Sequence, residues 1–188
     1  MKKFLSAAIM FCVMIFSANC QAKTLLANIS PAEFSARYQY YVGNITNVFG
    51  SMAATDYSKF LMKDFWHDPK TKEFYASFIN EDYDNGKYNA IHLYAGNNPK
   101  DKEIYHVQIC IENNFENLRD SLFIESSIAL ACLNITDANS DRIYRLIDGL
   151  DNEYKFFDST ARKNIYIEKS VTKNANGYEK NSILISAY

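Results

Sequence analysis

Between Lys72 and Ala187 apolar and polar residues alternate in short runs, interrupted once, from Asn114 to Leu150, by spacing of helical period. The runs predict strands over Lys72–Asn80, Tyr88–Ala95, Glu103–Glu112, Glu153–Asp158, Asn164–Val171 and Tyr178–Ala187. Asp84-Asn85-Gly86-Lys87, Gly96-Asn97-Asn98-Pro99 and Asn174-Ala175-Asn176-Gly177 supply the reversals, because Asn and Gly tolerate the positive φ angles of tight turns. Within the third run Tyr105, Val107, Ile109 and Ile111 share one face, and His106, Gln108 and Cys110 share the other.

The interruption reads as two helices. Leu118, Leu122, Ile128, Ala129 and Cys132 fall mostly on one side of the first. Thr136 is placed to cap a second helix beginning at Asp137, and Gly149 to end it in the left-handed conformation. Between them Ile143, Leu146, Ile147 and Leu150 form an apolar stripe, with Asp141, Arg142 and Arg145 toward water. Upstream, Ser30-Pro31-Ala32-Glu33 is a capping box with proline at the first helical position, which predicts a helix from Pro31 to about Gly43. Phe34, Tyr38, Tyr41, Val42 and Ile45 give that helix an aromatic core face. Residues 45–63 show no clear period.

These elements predict an α+β fold: a mostly antiparallel, twisted sheet of five to six strands, with the N-terminal helix and the central helix pair packed on it. No repeat, low-complexity run or proline-rich linker divides the chain. Residues 23–188 therefore read as a single domain. In outline the order of helix, three strands, two helices and further strands is similar to several small α+β sandwiches, type III secretion chaperones among them. No residue motif is shared, so no residue role transfers.

The first 22 residues read differently. Lys2 and Lys3 precede an apolar run from Phe4 to Phe16, too short to span a bilayer, and Cys20-Gln21-Ala22 provides the small side chains that signal peptidase requires. A secretory signal peptide over residues 1–22 is expected, cut between Ala22 and Lys23. Cys20 could carry a lipid anchor, but Ser17-Ala18-Asn19 lacks the preceding leucine and small residue of a lipoprotein signal, so no stable membrane anchor is expected. The signal looks bacterial, which implies a periplasmic or secreted destination. The sequons at Asn28, Asn44 and Asn134 read as chance matches in an Asn-rich chain.

Removing that segment and its two lysines leaves 18 basic against 22 acidic residues, a net charge near −4. Such a balance gives nucleic acid or an anionic membrane no purchase. Fourteen tyrosines and thirteen phenylalanines against six glycines indicate a packed, strand-rich domain, and tyrosine is also a residue of adhesive surfaces. Beyond the signal only Cys110 and Cys132 remain, and in an oxidising compartment an even pair is most economically a disulfide. The facing of Cys110 opposes that bridge unless a bulge or a helix on the second face intervenes.

Catalytic signatures are lacking. His67 lies between Asp64 and Asp68, and His92 and His106 occupy neighbouring strands, but the spacings match no zinc motif, so no metal and no cofactor is expected. There is no G-x-S-x-G elbow and no phosphate-cradling loop. Glu81, Asp82 and Asp84 cluster in a turn where solvated acids belong. By subtraction the expected function is that of an exported, non-enzymatic protein-binding domain, acting as periplasmic inhibitors and immunity proteins do, whose partner is another envelope or secreted protein. A carrier of a small apolar ligand or lipid is the alternative, and a hydrolase with a novel site the third reading.

Overall fold

The structure, a computed structural model, describes residues 24–44, 66–68, 73–77, 89–95, 98, 100–112, 118–173 and 177–188. Among the described residues one antiparallel sheet carries seven strands: β1 (Trp66–Asp68), β2 (Glu73–Ser77), β3 (Asn89–Ala95), β4 (Ile104–Glu112), β5 (Glu153–Asp158), β6 (Lys163–Lys173) and β7 (Glu179–Ala187). Their order across the sheet is β1-β2-β3-β4-β7-β6-β5. Six of these are the expected strands, and β1 adds a three-residue edge. Among the described residues the helices are α1 (Pro31–Gly43), α2 (Leu118–Cys132) and α3 (Ser140–Ile147). The helix pair carries the chain from the central β4 to the far edge at β5, and β6 and β7 return to close against β4. The α+β reading stands.

Strand alternation sorts the sheet into two faces. Ile91, Leu93, Val107, Ile109, Ile111, Ile165, Ile167, Ile183 and Ile185 are buried on one face in a single core with the helices. On that face α2 packs against β4, α3 against β5 and β6, and α1 against α2. From α1, Phe34 and Tyr38 enter the core with ring centroids 6.2 Å apart. Register shifts between Tyr94 and Ala95, which pair with His106 and Ile104 respectively, so Tyr105 is the extra residue of a bulge. Ile104 therefore takes the core position expected of Tyr105.

Local chemistry at the helix ends differs from expectation in two places. Ser30 Oγ accepts from the Glu33 amide at 3.1 Å, but the Glu33 carboxylate turns to Arg37 at 2.7 Å instead of closing the box. Arg37 in turn donates to the Cys132 carbonyl at 2.8 Å, tying α1 to the end of α2. The second departure is that α3 starts at Ser140 with Asn139 as its cap, not at Asp137. The Thr136 and Asp137 amides are taken by the buried Asp158 carboxylate, at 2.7 and 2.8 Å. Gly149 ends the helix at φ 72°, as the sequence requires, while Leu150 lies 65% exposed outside the stripe.

The expected disulfide is not formed. Cys110 and Cys132 are both buried and not disulfide-bonded, and they lie on opposite faces of the sheet. Cys132 belongs to the core under the helices, whereas Cys110 sits beside Ala90 with its Sγ 3.4 Å from Ser182 Oγ. A bridge needs Cβ atoms roughly 4 Å apart, and here a layer of backbone separates them. Alternation in β4 thus outweighs the expectation drawn from compartment. Ala22, Lys23, Glu81, Asp82 and Asp84 lie outside the described residues.

Candidate functional site

Because the three described helices lie on the Ile109 face, the opposite face of the sheet presents its own alternate set of side chains. Antiparallel register aligns them into a transverse row: Tyr94 pairs with His106, His106 with Ser186, Ser186 with Tyr166, and Tyr166 with Lys155. Phe157 and Tyr188 flank the row two residues further along the chain, and are 59% and 57% exposed. Tyr94, His106 and Tyr166 are half-buried. The sheet has thus brought aromatic residues from five segments of the chain onto one surface.

Contacts within the row hold its rings in place. Tyr94 stacks on His106 with centroids 5.1 Å apart and meets Tyr105 edge-on at 6.1 Å. Tyr166 meets Tyr188 edge-on at 6.5 Å, and Lys155 Nζ lies 5.1 Å from the Tyr166 centroid. Glu168 accepts from the Tyr166 hydroxyl at 2.7 Å and Glu103 from the Tyr105 hydroxyl at 3.1 Å. Both bonds raise the phenol pKa, so the rings stay neutral. An aromatic centre with a rim of Glu103, Glu153, Lys155 and Glu168 has the anatomy of a protein-binding patch.

His92 belongs to the same face, opposite Gln108 and diagonal to His106. The two imidazoles share a face, yet among the described residues no group of three histidine, cysteine or acidic side chains is placed to hold a metal. Burial, then Lys180, then His106 lower the His92 pKa from 6.5 to about 4. Its folded pKa lies below its unfolded one, so the neutral ring contributes stability that is complete above pH 6.5 and is lost as pH falls toward 4. His92→Gln is expected to flatten the decline of thermal stability across that window. An unchanged slope between those pH values would contradict the assignment. His67 lies in β1, paired with Phe74 of β2.

Two features were missed at the sequence level. The first is a polar group inside the core: Asn89 Nδ2 donates to Glu125 Oε1 at 2.6 Å, with Ser121, Ser126 and Tyr38 also buried. Glu125 falls in helical phase with Leu122 and Ala129, and that apolar phase was the signal that would have placed it inside. Neither Asn89 nor Glu125 reaches solvent, which suits a polar pair that orients α2 on β3. The second is a cleft of about 580 Å³ where the N-terminal segment, α1, the end of α2 and the β5–β6 turn meet. An apolar carrier calls for an enclosed apolar cavity. This cleft is instead walled by both apolar residues and the polar Asn28, Arg37, Asn134 and Lys163.

No family model, no curated protein and no solved structure matches this chain. The outline shared with type III secretion chaperones thus gains no support from those comparisons. Among the described residues no helix is long and apolar enough to cross a membrane.

Proposed function

We propose that the protein is a non-enzymatic binding domain, exported to the bacterial periplasm or beyond, that engages another protein through the aromatic face of its sheet. The observation that carries this reading is the row Tyr94, His106 and Tyr166 with Phe157 and Tyr188 beside it, on the face away from the described helices. Rings held by stacking and by hydroxyl bonds lose little freedom on docking, which is what makes tyrosine effective at interfaces. The leader pattern of residues 1–22 supports the destination, and it does so without help from the thiols, which form no disulfide.

The test is capture from envelope extract with the wild-type chain and with Phe157→Ser/Tyr166→Ser. Two aromatic anchors worth about 2 kcal/mol each sum to about 4 kcal/mol, so the double variant is expected to bind the captured protein roughly 1,000-fold more weakly. Equal recovery by the two chains would refute the assignment of the face. Both substitutions are on the solvent side of the sheet, so thermal stability should change little.

A further inference from the structure

The cleft at the end of the sheet carries an inference independent of the aromatic face. Among the described residues its charged lining is Arg37 and Lys163, with no carboxylate. Arg37 is already matched by Glu33 at 2.7 Å. Lys163 is not matched: its ammonium donates only to the carbonyls of Leu25 and Leu26, at 2.6 and 3.1 Å. Burial alone lowers its pKa, with no compensating carboxylate. Asp158, opposite Lys163 in the ladder, spends its oxygens on the amides of Thr136, Asp137 and Ala161. Among the described residues the Lys163 charge is thus left without a counter-charge, in a chain whose net charge is negative.

The rest of the wall decides the kind of ligand. Leu26, Ile29, Leu133 and Ala161 offer apolar surface, and the amides of Asn28 and Asn134 offer further polar contacts. A single unmatched cation fits a singly charged head better than a doubly charged phosphate, and the apolar wall fits a short hydrocarbon chain. We propose that this cleft binds a small organic acid, with its carboxylate on Lys163 and its apolar part against Leu133 and Ala161. The two carbonyl bonds leave one ammonium hydrogen for the ligand.

Hexanoate and hexanol, titrated into the purified chain by calorimetry and by NMR of the lysine side chains, test this. Hexanoate is expected to bind saturably and to perturb the Lys163 resonance, whereas hexanol, with the same chain and no charge, should bind at least ~10-fold more weakly. Because Lys163→Met also removes the clamp on the N-terminal segment, the deciding variant is Ala161→Leu, which fills the cleft and leaves both cations in place. It should weaken hexanoate at least ~10-fold, while Lys163→Arg keeps the affinity within about threefold. Absence of saturable hexanoate binding, equal binding of hexanol, or undiminished affinity in Ala161→Leu would each overturn the assignment.

Discussion

Asp158→Ala is expected to destabilise the domain by about 4 kcal/mol, which for a domain of this size lowers the melting temperature by roughly 10 °C. Asp158 is fully buried at the end of β5. Its Oδ2 accepts from the amides of Thr136 and Asp137, and its Oδ1 from the amide of Ala161 at 2.6 Å. One side chain thus fastens the α2–α3 connection to the β5–β6 turn. Asp137 returns the arrangement, accepting from the Ser159 amide at 2.6 Å. Removing the carboxylate strips three amides of a partner and leaves a void, costs that act in the same direction. Asp158→Asn, which keeps one acceptor oxygen, should lose about half as much. A loss below about 1 kcal/mol in the alanine variant would show that water replaces the carboxylate at no cost.

Asn89→Ala is expected to cost about 3 kcal/mol, because it removes the donor 2.6 Å from Glu125 in a core position without solvent access. The cost reflects a buried polar partner left behind rather than the intrinsic worth of the bond. Replacing both residues should therefore be milder than the two single changes suggest. In a cycle of Asn89→Ala, Glu125→Leu and the double variant, chemical denaturation should yield a coupling of about 1–2 kcal/mol. Additive losses would mean that the two side chains do not depend on each other. The pair joins the first residue of β3 to the middle of α2, so it fixes the helix over the sheet.

Much of this architecture could be read from short-range pattern. Ile165 and Ile167 alternate with Asn164, Tyr166 and Glu168, Ile183 and Ile185 alternate with Ser182, Leu184 and Ser186, and all four isoleucines are in the core. Even the facing of Cys110 was legible; the expectation of a bridge came from weighing compartment above alternation. The failures have a common physical origin in partners remote along the chain. Thr136 and Asp137 look like a helix start, but their amides belong to a carboxylate 22 and 21 residues away. Glu33 looks like half of a capping box until Arg37 competes for it. Tyr105 looks like a core residue until the bulge opposite Tyr94 displaces it. The aromatic face depends on such a partnership too. Tyr94 and His106 meet across a hairpin, but Tyr166 joins them only because β7 lies between β4 and β6, an order that no local period encodes. The cleft is of the same kind, assembled from segments more than a hundred residues apart.

The claim on which the account turns is that the side of the sheet turned away from the helices is where another protein docks. A photoreactive amino acid placed at Phe157 on that side, and in a separate chain at Tyr40, 66% exposed on α1, reports on it directly when irradiated in living cells. The account predicts a discrete higher-mass adduct from position 157 and none from position 40. An adduct from position 40 alone, or none from either, would contradict it.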